Sequence, residues 1–289
     1  MVAACACRCW QLNADFKALW ERIKHHTRYA AAYDSATLIE KAAQAIHDMP
    51  AVTTPRIISE RASLSFDENG IQNDIQSVRE HASPDVPVSV PDILGYLQHE
   101  TELTRHTLVD ILTQSGRLHD VLINPQQFLD EALKATRGML QQLMVDGVKY
   151  ERIGDAEYEM QLFESRELEA YLSNLVKIDK SIRDHIGFDS GVERNFAEKL
   201  DRMDNVKLLV KLPGWFRIAT PVGSYNPDWA IVLECDEKLY LVRETKGATD
   251  TAQLRWSELA RIKCGKAHFD ELGVDYKHIS AADDLRCPG

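Results

Sequence analysis

Two apolar segments near the carboxyl end of the chain decide its fold class. The first is Asp228-Trp229-Ala230-Ile231-Val232-Leu233, and the second is Leu239-Tyr240-Leu241-Val242-Arg243-Glu244-Thr245-Lys246. Each has the length and aliphatic content of a buried strand, and the short polar segment between them predicts a tight turn. We therefore predict a β-hairpin that brings Asp228, at the start of one strand, beside Glu244, near the end of the other.

The segments around this hairpin predict a compact sheet flanked by helices. Ser190, followed three residues later by Glu193, forms a capping box that marks the start of a helix with one apolar face. A turn is expected at 221–227, immediately before the hairpin. The other expected elements are strands at 206–211 and 215–220, a long helix at 252–272 and a last strand at 275–280. We predict an α/β fold whose core has the order α-β-β-β-α-β.

The first 180 residues predict a mostly helical region with some strands. The pattern divides the chain into a mixed α/β segment at 1–90, a helical segment at 91–180 and a C-terminal domain at 181–289. Asn69-Gly70 predicts a hairpin turn, and residues 148–160 are ambiguous. The expected elements are helices at 15–29, at 35–46, within 91–145 and at 162–176, and short strands within 51–80.

The predicted hairpin carries residues that suit hydrolysis of a phosphodiester bond. Glu244 and Lys246 should point to one face, because side chains alternate along a strand. Asp228 and Glu244 can together hold Mg²⁺, which prefers oxygen ligands, polarises a phosphate and lowers the pKa of a bound water. Lys246 can hold that water and offset charge in the transition state. The backbone carbonyl of Thr245 is expected as a further ligand, and Glu193 as an outer-shell or second-metal ligand.

Each part of this pattern also has a purely structural explanation. An aspartate after proline is common in turns, Glu-x-Lys on a strand is often a solvated face, and capping alone can account for Glu193. The combination is more specific, because Pro227-Asp228 precedes Glu-x-Lys by sixteen residues on adjacent expected strands. From these residues alone, a nuclease site and a solvated strand face both remain open.

Other residues near the hairpin have simpler expectations. Trp229 and Trp256 are expected in the core, and Arg243 in a surface ion pair. The residues for which a structural role and a DNA contact both remain open are Tyr225, Asn226, Lys263 and Lys266.

Charge and cysteine content restrict the setting of the chain. The net charge of −11 argues against a protein covered by DNA-binding surface. The charge is uneven, however, since residues 191–289 hold 15 basic and 16 acidic residues whereas residues 1–190 hold 19 and 29. No apolar run of membrane-spanning length and no signal-peptide core occurs. We predict a cytoplasmic protein without a membrane partner, whose six cysteines are free thiols.

The C-terminal segments resemble a known family. They are Ser190 to Ala197, Val210 to Phe216, Thr220 to Ala230, Leu241 to Gly247 and Lys263 to Phe269. In this order they resemble the PD-(D/E)xK endonuclease domain of the restriction subunit of type III restriction-modification enzymes, which implies a restriction-endonuclease-like core. In that family the aspartate, glutamate and lysine of the motif are the nuclease residues. The resemblance thus implies catalytic roles for Asp228, Glu244 and Lys246.

The resemblance extends more weakly upstream and carries further expectations. Phe16 to Lys24 and Leu103 to Gln126 are similar to the family's connector between a helicase motor and the nuclease. The expected cofactor is Mg²⁺, with Mn²⁺ as a substitute, and the expected partners are double-stranded DNA and a modification (methyltransferase) subunit. The chain contains no GxxxxGK(S/T) loop. The helicase motor is therefore expected to be missing from it, and ATP is not expected to bind.

Two alternatives to a type III nuclease remain. One is a non-catalytic remnant or assembly module that binds the modification subunit, which the missing motor and the acidic first 190 residues favour. The other is an unrelated metal-dependent nuclease or RNA enzyme with the same fold. The intact set of Asp228, Glu244 and Lys246 favours a nuclease.

Overall fold

A computed structural model of the chain describes residues 2–3, 13–67, 70–82, 90–159, 170–171, 175–235, 238–245, 256–279 and 285. The chain forms two units, one from 1–32 together with 144–289 and the other from 33–143. The division into domains at 90 and 180 stays a prediction.

Helices and strands occur throughout the described ranges. The helices are α1 (Ala14–Ile23), α2 (Ser35–His47), α3 (Ile93–Thr101), α4 (Arg105–Gln114), α5 (Pro125–Asp146), α6 (Gly191–Arg202) and α7 (Trp256–Glu271), with a 3₁₀ helix at Leu118–Leu122. The strands are β1 (Val2–Ala3), β2 (His25–Ala31), β3 (Arg56–Asp67), β4 (Gly70–Ala82), β5 (Val148–Glu157), β6 (Ala170–Tyr171), β7 (Leu175–Lys177), β8 (His185–Gly187), β9 (Val206–Lys211), β10 (Trp229–Glu234), β11 (Lys238–Thr245) and β12 (Asp275–Ile279).

A mixed four-stranded sheet forms the centre of the C-terminal unit. Its strand order is β12-β11-β10-β9, with β10 antiparallel to both neighbours and β12 parallel to β11. Trp229, the first residue of β10, pairs with Arg243 on one side and with Lys211 on the other. Because α6 precedes β9 and α7 precedes β12, the predicted α/β class and the order α-β-β-β-α-β are confirmed.

Helices cover both faces of this sheet, which explains why β10 is apolar over most of its length. Ala230 and Val232 pack in one cluster with residues of α1 and α7. Trp229, Ile231 and Leu233 pack in another cluster with residues of α6. All five side chains are fully buried. A strand buried on both faces reads as a continuous apolar run, as the sequence of this segment predicts.

Helix α1 belongs to this core although it lies far away in the sequence. The side chain of Asn13 caps it by accepting the N–H of Phe16 at 2.9 Å. The buried ring of Trp20 then packs edge-on against Trp215 and Phe216, with centroid distances of 6.2 and 6.3 Å. The apolar face of α1 is covered within this unit, so α1 folds with it.

The predicted helix at 15–29 is wrong beyond Ile23. Residues 25–31 instead form β2, which pairs antiparallel with β5. Strand β5 covers most of the segment at 148–160, for which the sequence is ambiguous. A local helical pattern gives way here because pairing with a distant strand supplies hydrogen bonds that the periodicity of one segment does not reveal.

Two further predicted elements are wrong for the same reason. The strand predicted at 215–220 is reduced to a single bridge between Ile218 and Tyr225. The helix predicted at 162–176 is wrong at 170–171 and at 175–176, which form strands, and β7 pairs with β8. The rest of that predicted helix lies outside the described residues.

Residues 33–143 form a mainly helical unit with its own core. Arg117 connects two segments of this unit. It pairs with the buried carboxylate of Asp120 and donates to the carbonyls of His47 and Met49 at 2.9 and 3.0 Å. The predicted short strands are instead the long hairpin of β3 and β4, and the predicted turn residue Asn69 lies outside the described residues. The apolar core includes Leu38, Ile46, Leu108, Ile111 and Phe128.

The structure bears on two predictions, one about membrane-spanning segments and one about the cysteines. None of the described helices has the length and apolar character needed to cross a membrane. Cys264 is a buried free thiol, but Cys235 is disulfide-bonded, so the prediction of free thiols is wrong at Cys235. Spacing along the sequence does not show which cysteines folding brings together. The other four cysteines lie outside the described residues.

His268 on α7 is buried in the C-terminal unit. Because of this burial, we expect the protein to become less stable in acid. Nδ1 of His268 lies 2.7 Å from the hydroxyl of Thr27, and the His268 ring meets that of Tyr150 edge-on. Burial, with a smaller contribution from the nearby His26, lowers the pKa of His268 to about 3. The unfolded chain, with a pKa near 6.5 at this residue, therefore binds the proton more tightly than the folded one.

The free energy of unfolding should consequently fall as the pH drops from about 6.5 towards about 3. Between pH 7 and pH 5 this one residue is expected to remove about 2 kcal/mol. Urea unfolding of the parent and of His268→Gln at both pH values measures the effect. Between pH 7 and pH 5, the unfolding free energy of His268→Gln should fall by about 2 kcal/mol less than that of the parent. Equal falls in the two proteins would contradict a neutral buried His268.

Candidate active site

The partly buried side-chain amide of Asn226 holds the loop before β10 in shape. Nδ2 of Asn226 donates to the carbonyls of Pro213 and Phe216 at 3.1 and 2.8 Å. The carbonyl of Asp228 accepts the N–H of Leu212 at 2.8 Å. These bonds agree with the expectation that Asn226 shapes the turn, and they fix the point at which Asp228 enters the sheet.

The Asp228 carboxylate is anchored to the end of the neighbouring strand. Its Oδ2 accepts hydrogen bonds from both the backbone N–H and the hydroxyl of Thr245, each at 2.7 Å. The indole N–H of Trp229 in turn donates to that hydroxyl oxygen at 3.3 Å. The side chain that precedes β10 is thus fixed to the last residue of β11, directly beside Glu244.

Glu244 is buried, with 4% of its surface exposed, and two tyrosines orient its carboxylate. The Tyr225 hydroxyl donates to Oε2 of Glu244 at 2.7 Å, and it lies 2.5 Å from the Tyr276 hydroxyl. A phenol has one O–H to donate, and Tyr225 donates it to Glu244. The Tyr276 hydroxyl therefore donates to the oxygen of Tyr225. The two phenols form a chain of hydrogen bonds that ends at the carboxylate.

Both phenols remain protonated over the ordinary pH range. Burial, followed by the nearby Tyr276 and the charge of Glu244, raises the pKa of Tyr225 well above 10. Burial, followed by the charge of Glu244, also raises the pKa of Tyr276, and the charge of Asp228 adds to this rise. Both carboxylates therefore act electrostatically on one buried hydroxyl.

Gly265 on α7 allows the tyrosines to approach this closely. A Cβ atom at Gly265 would lie 2.7 Å from Cε1 of Tyr225 and 3.1 Å from Cζ of Tyr276. Such distances are shorter than van der Waals contact, so any larger residue would displace the rings. The absence of a side chain at this helical position is therefore a requirement of the site.

The two carboxylates line one open cleft of about 460 Å³. Six of the ten lining residues come from the segment before β10, three from α7 and one from the end of β11. The cleft combines acidic groups with two guanidinium groups, so it can hold both a cation and an anion. The lining residues are Gly214, Arg217, Ser224, Tyr225, Asn226, Asp228, Glu244, Glu258, Arg261 and Ile262.

The remaining predicted site residues fall in different places. Ser190 caps α6 by accepting the N–H of Glu193. The Glu193 carboxylate accepts from Nζ of Lys211 at 2.6 Å and from the N–H of Asp189 at 3.2 Å, and it does not line the cleft. Thr245 is buried at the end of β11. Lys246 lies outside the described residues.

The expected core and surface residues are partly confirmed. Trp229 is fully buried as predicted, but Trp256 is 41% exposed at the first turn of α7, so its prediction as a core residue is wrong. Arg243 does form an ion pair, with Asp275 at 2.7 Å, but the guanidinium is buried rather than on the surface. Lys263 and Lys266 pair with Asp146 and Asp270, outside the cleft lining.

No sequence motif identifies three further residues of the site. Tyr276 lies on a short strand of ordinary alternation, and Arg261 and Glu258 lie on a long helix with many charges. Only their position in the folded unit brings them to the carboxylates. The three-residue spacing of Glu258 and Arg261 shows that they share a helix face, but it does not show what that face meets.

The acidic side chains that line the cleft could supply oxygen ligands to a cation. Among the described residues, no group of three or more histidine, cysteine, aspartate and glutamate side chains is close enough to hold a metal ion. Three carboxylates line the cleft: those of Asp228 and Glu244, near the ends of β10 and β11, and that of Glu258 on α7. Few protein ligands, all of them oxygen, are typical of Mg²⁺, which keeps several waters.

Comparison with known families agrees with this geometry. Residues 179–282, about a third of the chain, match the family model described as "Endonuclease domain". The match includes every residue of the cleft. The chain carries an endonuclease domain. Its sheet, with helices on both faces, is the restriction-endonuclease-like core that was expected. No curated protein and no solved structure matches the chain.

Proposed function

We propose that the endonuclease domain is a Mg²⁺-dependent DNA nuclease of the type III restriction kind, with Asp228, Glu244 and Lys246 as its catalytic residues. The observation that carries the proposal is that Asp228 and Glu244 line one cleft within the matched segment. Two carboxylates that line a cleft beside guanidinium groups suit hydrolysis of a phosphodiester by water, assisted by a divalent cation.

The proposed metal ligands are the two carboxylates and the backbone carbonyl of Thr245. When bound, Mg²⁺ or Mn²⁺ would polarise the scissile phosphate and promote ionisation of water. Thr245 holds Asp228 through two hydrogen bonds of 2.7 Å, and Tyr225 holds Glu244 through one of the same length. These contacts keep both carboxylates oriented before any ligand enters. Glu193 is left out of the ligand set because Lys211 holds its carboxylate.

Lys246 is proposed to position the attacking water and to offset charge on the phosphate. It follows Glu244 by two residues in the sequence, and an ammonium group beside a carboxylate site is suited to both tasks. The substrate would be double-stranded DNA. A modification (methyltransferase) subunit would supply site recognition, and an ATP-dependent helicase motor would supply movement along the DNA.

Nicking of supercoiled plasmid DNA tests this function. In Mg²⁺ or Mn²⁺ the parent chain should convert supercoiled DNA to open circles, and Lys246→Ala should do so at least about 100-fold more slowly, because a charge that stabilises the transition state is lost. Lys207→Ala is the matched control, since Lys207 is an exposed lysine of β9 that pairs with Glu234. It should cut at the parent's rate.

Two outcomes would contradict the proposal. Equal nicking by the parent and by Lys246→Ala would place the chemistry elsewhere in the protein or in a contaminant. No nicking by the parent, even with a modification subunit and a motor subunit added, would overturn a catalytic role and favour the alternative of a non-catalytic assembly module.

A further inference from the structure

Arg261 brings a guanidinium to the cleft that the carboxylate chemistry does not use. It lies on α7 and lines the same cleft as Asp228 and Glu244. Its Nε–H is buried, and no hydrogen-bond partner for it occurs in the described part of the chain. A buried donor without an acceptor costs free energy, and an acceptor supplied by a ligand would remove that cost.

Nearby acids within the described ranges do not neutralise Arg261. Glu258 lies on the same face of α7, three residues away, yet no ion pair joins the two, and none joins Arg261 to Asp228 or Glu244. Arg243, a more buried arginine of the same unit, differs in this respect because it directs Nη2 to Asp275 at 2.7 Å. The charge of Arg261 is therefore available to something that enters the cleft.

Arg217 supplies a second guanidinium to the same cleft. Its Nε–H donates to the carbonyl of Gly214 at 2.8 Å, which holds the head group against the loop before β10. The cleft thus contains two arginines as well as the two carboxylates at the ends of β10 and β11. A guanidinium matches the geometry of a phosphate group through paired N–H bonds.

We propose that Arg261, with Arg217, binds a phosphate of the DNA strand next to the one that is cut. The inference rests on the proposed nuclease function and adds to it an anion subsite beside the cation subsite. The phosphate held by the arginines sets which linkage of the strand lies at Asp228 and Glu244. Arg261 binds and positions the strand and takes no part in the proton transfers.

Binding of a fluorescein-labelled 20-base-pair DNA duplex, followed by fluorescence anisotropy in Ca²⁺ over a range of salt concentrations, tests this subsite. The full chain is compared with Arg261→Gln, Arg261→Lys and Arg194→Gln. Arg194 is the matched control because it is an arginine of α6 that pairs with Glu198 on the other side of the sheet. Thermal unfolding of each variant verifies that the fold is retained.

Arg261→Gln should weaken binding about five- to tenfold and reduce the slope of log K against log salt by about 0.9, the value for one phosphate contact. Arg261→Lys should keep that slope but recover only part of the affinity, because lysine retains the charge and loses the paired bonds. Arg194→Gln should bind like the parent.

Three results would overturn the proposal. If the parent binds and cuts DNA while Arg261→Gln binds with an unchanged affinity and slope, the subsite is wrong and the nuclease function stands. If Arg194→Gln weakens binding as much as Arg261→Gln does, general charge rather than this subsite accounts for the loss. If the parent neither binds nor cuts DNA, the nuclease function and the subsite fall together.

Discussion

Exchange of Glu244 for glutamine is expected to lower the rate of Mg²⁺-dependent DNA cleavage at least about 100-fold while the fold is retained. Loss of a group that only orients a metal ligand costs about 10- to 100-fold, and loss of the ligand's charge should cost more. Glutamine keeps the volume of the buried side chain and still offers an oxygen to the Tyr225 hydroxyl, which donates to Glu244 in the parent. The rate of plasmid nicking measures the effect.

Glu234→Gln is the matched control for this prediction. Glu234 lies at the other end of β10, where it is half exposed and pairs with Lys207. An exposed ion pair contributes at most about 1 kcal/mol, so this variant should cut at nearly the parent's rate. If Glu244→Gln cuts as fast as Glu234→Gln, the buried carboxylate has no part in the reaction.

Exchange of Gly265 for alanine is expected to damage both stability and activity. The new Cβ would lie 2.7 Å from Cε1 of Tyr225, so the ring has to move away from α7. Overpacking of this kind costs about 1–3 kcal/mol. Movement of Tyr225 also breaks its hydrogen bond to Glu244. The free energy of unfolding and the nicking rate should both fall, which urea unfolding and the plasmid assay measure.

Gly138→Ala provides the opposite expectation at another helical glycine. Gly138 lies on α5, and a Cβ atom there meets nothing within 4 Å. Alanine in an open helical position stabilises a helix by about 0.5–1 kcal/mol relative to glycine. Gly138→Ala should therefore be neutral or stabilising, with full nicking activity. If the two variants behave alike, the close packing of Gly265 against the tyrosines does not hold Glu244.

The hairpin of the site could be predicted from the sequence because the pattern that specifies it lies within one short segment of the chain. The apolar run of β10, the short turn and the alternation of β11 place Asp228 next to Glu244 without knowledge of any other segment. The capping box at Ser190 is equally local, and the Ser190 side chain does accept the N–H of Glu193 at 3.2 Å.

The parts that could not be predicted depend on contacts between distant segments. The apolar face of α1 is visible in the sequence, but its place beside Trp215 is not. The helical pattern at 25–29 gives way to the pairing of β2 with β5. Arg261 and Tyr276 join the site only after α7 and β12 have packed on the sheet, so no motif marks them.

We propose that Asp228 and Glu244 share one divalent cation, and titration calorimetry with Mn²⁺ tests this most directly. Binding of the cation does not depend on a motor or on a modification partner. The parent should bind one Mn²⁺ per chain in the cleft, and Asp228→Asn and Glu244→Gln should each weaken that binding at least about tenfold, because each removes one of two charged ligands. Unchanged Mn²⁺ affinity in either variant would contradict a shared cation.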